Sequence, residues 1–231
     1  MKNFNNARIP LQEEQFIDAA TARFYDEHSR RFMGSVYRSF VKKLSKVNPT
    51  GNKVLDVGTG SGHLAIELAK AYPDWQITGI DVSEEMIKLA WENASRSSLN
   101  DKINFMVYSA EALPFANGDF DLVVSNASLH LWGNPLKVFK EIARVTAPGG
   151  YCLLWDNLRL TASLPFLSII GWGMGMNKAQ RELWLKAVQA SYTISEVKEI
   201  LRESPLKDAR IVFIPGLLFL GVEWRKGTDK Y

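Results

Sequence analysis

The stretch best equipped for chemistry is Val54-Leu55-Asp56-Val57-Gly58-Thr59-Gly60-Ser61-Gly62. A β-branched apolar run ends in a turn with glycine at every second position, and His63 to Ala71 then reads as a helix. Glycines let the backbone approach a ligand closely and take positive φ angles. The amides at a helix start favour a polar or anionic group. Asp81 closes the next apolar run, Ile77-Thr78-Gly79-Ile80, and lies 19 residues beyond Gly62. In a doubly wound fold an acid at that place reaches the hydroxyls of a ribose, and a carboxylate can accept from two at once. Two features speak against a dinucleotide. The spacing is G-x-G-x-G rather than G-x-G-x-x-G, and Asp56 would set a negative charge near a pyrophosphate. A carboxylate there suits a cationic ligand better.

Alternating strands and helices must hold these residues in place. The pattern predicts strands at Lys53 to Val57, Gln76 to Ile80, Ile103 to Val107, Phe120 to Ser125 and Tyr151 to Trp155. It predicts helices from about Gly62 to Tyr72, from the cap Ser83 to about Ser97, and from Pro135 to Val145, stopped by Pro148-Gly149-Gly150. Short links between such units imply a parallel sheet covered on both faces. Before them, apolar or aromatic residues recur at every fourth place from Phe24 to Leu44, which predicts a helix ended by Asn48-Pro49-Thr50-Gly51. After them, Lys178 to Gln189 and Ser195 to Glu203 read as helices. Arg210 to Ile214 and Leu217 to Trp224 read as strands joined only by Pro215 and Gly216. So short a link makes an antiparallel hairpin. The organisation expected is one domain over 1–231: a helical cap (1–50), a cofactor-binding core (51–156), and an acceptor-side insert with closing strands (157–231).

Taken together, the motifs resemble those of class I S-adenosylmethionine-dependent methyltransferases. Val54 to Ala69 looks like their first motif and Ile80-Asp81-Val82-Ser83-Glu84-Glu85-Met86 their second. Ser109 to Phe115, followed by Gly118 to Val123, resembles the third and fourth, and Ala147-Pro148-Gly149-Gly150 matches the usual turn before the fifth strand. The Leu113-Pro114-Phe115 signature is most similar to the group that includes the ubiquinone and menaquinone C-methyltransferases, of methyltransferase type 11. The resemblance implies an α/β, Rossmann-like, doubly wound, mostly parallel seven-stranded sheet. It implies S-adenosyl-L-methionine as donor and S-adenosyl-L-homocysteine as product. Asp56 and the backbone of Gly58 and Gly60 would then hold the methionine end, with Thr59 and Gly62 completing the loop. Asp81 would take the ribose, Val82 and Met86 would pack on the adenine, and Ala110 and Glu111 would lie at its edge. Ser109 stands where relatives often carry Asp, which weakens the contact to the adenine amine. Asn126 would line the path to the sulfonium.

Methyl transfer from a sulfonium is a direct displacement, so alignment and exclusion of water carry much of the catalysis. A base is needed only when the acceptor arrives protonated. His130, just after the fourth strand, is the first candidate, because histidine exchanges protons near neutral pH. Tyr25, Asp26 and His28 lie on the N-terminal helix that folds over the acceptor in related enzymes. Tyr25 is a second catalytic candidate, whereas His28 sits on the apolar stripe and reads as a core position. Trp132 follows the fourth strand, and Asp156, Asn157 and Arg159 leave the fifth at its functional edge. Phe166, Trp172, Met174, Met176 and Trp184 could form an adaptable apolar lid or acceptor wall.

Composition narrows the function further. The chain has 231 residues, 46% of them hydrophobic and 23% charged, with a net charge of +3. That is ordinary for a globular domain and too weak a charge to favour nucleic acid. Ser125-Asn126-Ala127-Ser128 stands where nucleic-acid amine methyltransferases carry a Pro-Pro-Tyr motif. Cys152 is the single cysteine, so neither an internal disulfide nor a zinc cluster is expected, and no metal is assigned. No apolar stretch is long enough to span a bilayer, and the start lacks a signal-peptide core. The expectation is a cytoplasmic enzyme methylating a small molecule, as monomer or homodimer, without membrane insertion. The alternatives are a tRNA or protein methyltransferase, a non-catalytic cofactor-binding module, and an NAD-dependent oxidoreductase.

Overall fold

The computed structural model describes residues 8–11, 18–159, 164–214 and 218–228. In chain order the cap helices are α1 (Ala19–Phe32) and α2 (Gly34–Val47). The core follows as β1 (Lys53–Val57), α3 (His63–Ala71), β2 (Gln76–Asp81), α4 (Glu84–Arg96), β3 (Ile103–Val107) and β4 (Phe120–Asn126). A 3-10 turn at Leu129–Leu131 leads to α5 (Pro135–Val145) and β5 (Thr146–Asn157). The remainder is α6 (Leu164–Gly173), α7 (Lys178–Ala190), α8 (Ile194–Arg202), β6 (Arg210–Ile214) and β7 (Phe219–Arg225).

Four of the five residues of β1 are buried, because helices cover both of its faces. The seven strands lie in the order β3-β2-β1-β4-β5-β7-β6. Strands β1 to β5 pair in parallel, and β7 runs antiparallel to both β5 and β6. The order reverses between β1 and β4, and a ligand crevice opens at such a switch point. Leu64, Leu68, Phe105 and Val124 pack on one face of the sheet with Phe40 and Leu44 of the cap. Leu55, Phe139, Ile142 and Val197 pack on the other. Phe40 and Leu44 are fully buried, and removing such a side chain from water contributes about 1.5–3 kcal/mol.

Two local outcomes differ from the sequence pattern. The N-terminal stripe is carried by two helices, not one; the chain breaks at Met33, where Gly34, a weak helix former, begins α2. Strand β5 begins at Thr146 rather than Tyr151, so Pro148-Gly149-Gly150 lies within it. Those residues form an irregularity: Phe120 pairs Thr146 but Leu122 pairs Tyr151, and Gly149 has φ +78°. The Pro215-Gly216 link of the final hairpin lies outside the described residues. The Ser83 cap stands where the sequence predicts it. Ser83 accepts from Met86 N at the start of α4, and Asn134 from Lys137 N ahead of Pro135 in α5. Among the described residues, no helix is long and apolar enough to cross a membrane.

Candidate active site

The glycine turn after β1 takes the shape its sequence requires. A side chain at Gly58 (φ +70°) would stand 2.5 Å from Ser128 Oγ, and one at Gly62 (φ +81°) 2.8 Å from the Phe105 ring. Gly60 (φ +54°) faces open space, with nothing within 4 Å of a Cβ. Two acids hold this turn. Thr59 Oγ1 donates to Asp56 Oδ2 at 2.7 Å, and Gly60 N donates to Asp81 Oδ2 at 2.9 Å. The other oxygen of Asp81 accepts from Ser83 N at 3.0 Å. Asp56 is 1% exposed. Burial pushes its carboxyl up to about 7; the Thr59 bond opposes that rise and the charge of Asp81 adds to it. An open cradle backed by two carboxylates fits a ligand with positive charge and a sugar, as S-adenosylmethionine has.

Beside the turn lies a cavity of about 390 Å³, within the range of small-molecule sites. Gly58, Thr59, Gly60, Asp81, Val82 and Met86 wall the part beside the turn, Ser109, Ala110 and Glu111 lie farther along, and Asn126 also lines the cavity. Asp56 and Gly62 do not reach the wall and act from beneath the turn. Ser109 Oγ accepts from Glu111 N at 3.2 Å. The Glu111 carboxylate is held by Asn134 N at 2.9 Å and Lys137 Nζ at 3.5 Å, which ties it to the start of α5.

The same cavity takes in His130 and Tyr25. His130 is 5% exposed, and Asp156 behind it is 1% exposed. The carboxylate of Asp156 meets His130 twice, at Nδ1 (2.7 Å) and at the backbone N (3.0 Å). Sequence reasoning placed both residues at the functional edge without pairing them. The signal was available, since adjacent parallel strands bring the residues after β4 beside the end of β5. Tyr25 differs: burial pushes its phenol well above the ordinary range, so it stays protonated and can donate a hydrogen bond rather than act as a base. His28 lines the cavity instead of entering the core. Asn157 and Trp132 also line it, whereas Arg159 turns away to Ser191 O and Glu196. Of the aromatic and methionine-rich insert, Met174, Met176 and Trp184 reach the wall, joined by Ile170. Phe166 and Trp172 do not, being 56% and 72% exposed.

Asp26 is not among the residues lining the cavity; it fastens the cap to the glycine turn. Its Oδ1 lies 2.8 Å from His63 Nε2 and accepts from Asn93 Nδ2 at 2.8 Å; the same Asn93 nitrogen reaches Ser61 O at 3.0 Å. Burial alone would raise the Asp26 pKa, but hydrogen bonds from His63, Asn93 and Ser61 bring it down to about 2. Asp26→Ala is expected to remove about 2–3 kcal/mol, because Asn93 and His63 lose a charged partner. Denaturant unfolding at neutral pH measures this, and a change below about 0.5 kcal/mol would show that the network does not hold the cap.

Residues 49–204 match the family model described as a methyltransferase domain. The chain is 36% identical over 108 residues to the 27-O-demethylrifamycin SV methyltransferase of Amycolatopsis mediterranei, covering 47% of this chain and 39% of that protein. It is 37% identical over 121 residues to the ubiquinone/menaquinone biosynthesis C-methyltransferase of Geotalea daltonii, covering 52% and 51%. The chain thus spans about half the length, or less, of these relatives. A solved structure of an S-adenosyl-L-methionine-dependent methyltransferase, assigned as putative, from Methanococcus maripaludis has the same fold. It superposes with a TM-score of 0.75 at 22% identity, covering 93% of this chain and 95% of that one. The sheet order, the acid-backed glycine turn and the family match over 49–204 agree: the chain belongs to the methyltransferase-domain family.

Proposed function

We propose that the protein transfers a methyl group from S-adenosylmethionine to a small-molecule acceptor, with His130 as general base and Asp156 as the residue that positions it. The observation that carries this reading is one cavity shared by the glycine cradle and His130. S-adenosylmethionine supplies a methyl group already activated on a sulfonium. The chain's own work is to hold, align and deprotonate. Asp81 and the Gly58–Gly60 backbone would hold the nucleoside and methionine parts, while Val82 and Met86 pack against the base. The carboxylate of Asp156 can only accept, so it keeps the proton of His130 on Nδ1 and leaves Nε2 free to take one. Phe32, Met33, Ile170, Trp184 and Phe219 form an apolar wall that keeps water from the reacting atoms.

Calorimetric titration with S-adenosylhomocysteine and, separately, NAD tests the donor half. Saturable binding of S-adenosylhomocysteine and none of NAD is expected. Asp81→Ala should weaken that binding about 10- to 100-fold, the loss of charge-assisted hydrogen bonds. Binding of NAD, or of neither ligand by folded protein, would overturn the reading.

A further inference from the structure

The acceptor half of the cavity contains buried polar atoms that no neighbour satisfies. Asn126 Oδ1 and His28 Nδ1 are both buried without a hydrogen-bond partner among the described residues, and both residues line the cavity. They come from different elements, Asn126 from the end of β4 and His28 from α1 of the cap. Leaving such a group buried and unpaired is unfavourable, so an occupant that pairs with either is favoured. Burial disfavours the charged form of His28. A neutral imidazole nitrogen either donates or accepts, according to tautomer. A hydroxyl answers either role.

The charges point the same way. The described lining includes no Lys or Arg, and its only carboxylates are Asp81 and Glu111, both at the cofactor end. A carboxylate or phosphate on the acceptor would meet no Lys or Arg among the described lining residues, and an unpaired buried charge is strongly disfavoured. Much of the remaining wall is apolar, with Phe32, Met33, Ile170, Met174, Trp184 and Phe219 beside the uncharged polar Tyr25, Ser29 and Asn157. Resting on the methyltransferase reading, we infer that the acceptor is an uncharged, mostly apolar molecule with at least two hydroxyl groups. One hydroxyl is methylated and another meets Asn126 or His28. At the first, the proton passes to Nε2 of His130, an oxygen lone pair bonds the methyl carbon, and the electrons of the carbon–sulfur bond stay with sulfur.

Protein saturated with S-adenosylhomocysteine is titrated calorimetrically with methylnaphthalene, a naphthol, a series of dihydroxynaphthalenes, a naphthoate and a naphthyl phosphate. Prior saturation means that the cofactor's own polar groups are already in place. The naphthol should bind at least fivefold more tightly than methylnaphthalene, and the best dihydroxynaphthalene at least fivefold more tightly again. The naphthoate and phosphate should bind at least tenfold more weakly than the naphthol. His28→Phe or Asn126→Leu should erase the gain from the second hydroxyl. Equal or tighter binding of a charged analogue overturns the inference. So does no gain from the second hydroxyl, its persistence in both variants, or failure of every probe to bind. If the wild type does not take up S-adenosylhomocysteine, the methyltransferase reading fails first and the inference with it.

Discussion

Replacing His130 with alanine is expected to lower the rate of methyl transfer about 10²- to 10⁴-fold, the usual worth of a positioned general base. Affinity for S-adenosylhomocysteine should stay within about twofold. The geometry supports this split, because Asp156 grips the ring at Nδ1 and the backbone at N, fixing the imidazole from behind. Asp156 also accepts from Asn157 N at 2.6 Å, so the end of β5 and the 3-10 turn share one carboxylate. Asp156→Asn keeps the size but can present an N–H to Nδ1, which would move the proton to Nε2 and block the base. A loss of at least 10²-fold in kcat with little change in KM is therefore expected. Nitrogen NMR of the imidazole should report the changed tautomer, which loss of packing alone would not produce. If His130→Ala kept more than about a tenth of the activity, the acceptor would be losing its proton elsewhere.

The sheet was legible in the sequence because its signals are local. Lys53–Val57 and Ile103–Val107 are short, mostly apolar runs, and Ser83 announces its helix by capping chemistry. The glycine turn was legible for the same reason, since its glycines, Asp56 and Asp81 lie within a short span. Contacts between distant segments were not. Asp26 and His63 are 37 residues apart, and nothing in either segment indicates that the cap acid bonds the residue after Gly62. The Met33 break was hidden because α1 and α2 share one apolar stripe, so the period continues while the axis does not. For the insert, composition showed apolar character without direction. Periodicity alone could not tell that Met174 would face the cavity and Trp172 the solvent.

The ligand-free protein should lose stability as pH rises from 5.5 to 8, and Asp56 is the reason. Its carboxyl is buried beneath the glycine turn, with Thr59 Oγ1 donating to it and the charge of Asp81 nearby. Burial lifts its pKa from 3.8 to about 7. The folded state thus holds a proton that the unfolded chain has already released. The stability this confers is fully present below 3.8 and declines as pH climbs through 7. For Asp56 alone linkage gives a loss of about 2 kcal/mol between pH 5.5 and 8, or about 4–8 °C in Tm for a chain of this size. Asp26 does not offset this, but His28 does in part: burial lowers its pKa, so its contribution grows as pH rises toward 6.5. The Asp26 pKa is lowered to about 2, so its contribution is present above 3.8 and is lost only as pH falls toward 2. Asp56→Asn, whose side-chain oxygen can still accept from Thr59, should flatten the slope and make the ligand-free protein more stable at pH 8. A cation bound above the turn favours the ionised form of Asp56, so a cationic ligand should release a proton at pH 6. S-adenosylmethionine, with its sulfonium, should release more than S-adenosylhomocysteine, as calorimetry in buffers of different ionisation enthalpy would measure. An equal slope in wild type and Asp56→Asn would show that the acid stays ionised in the folded protein and that its charge is offset without a ligand.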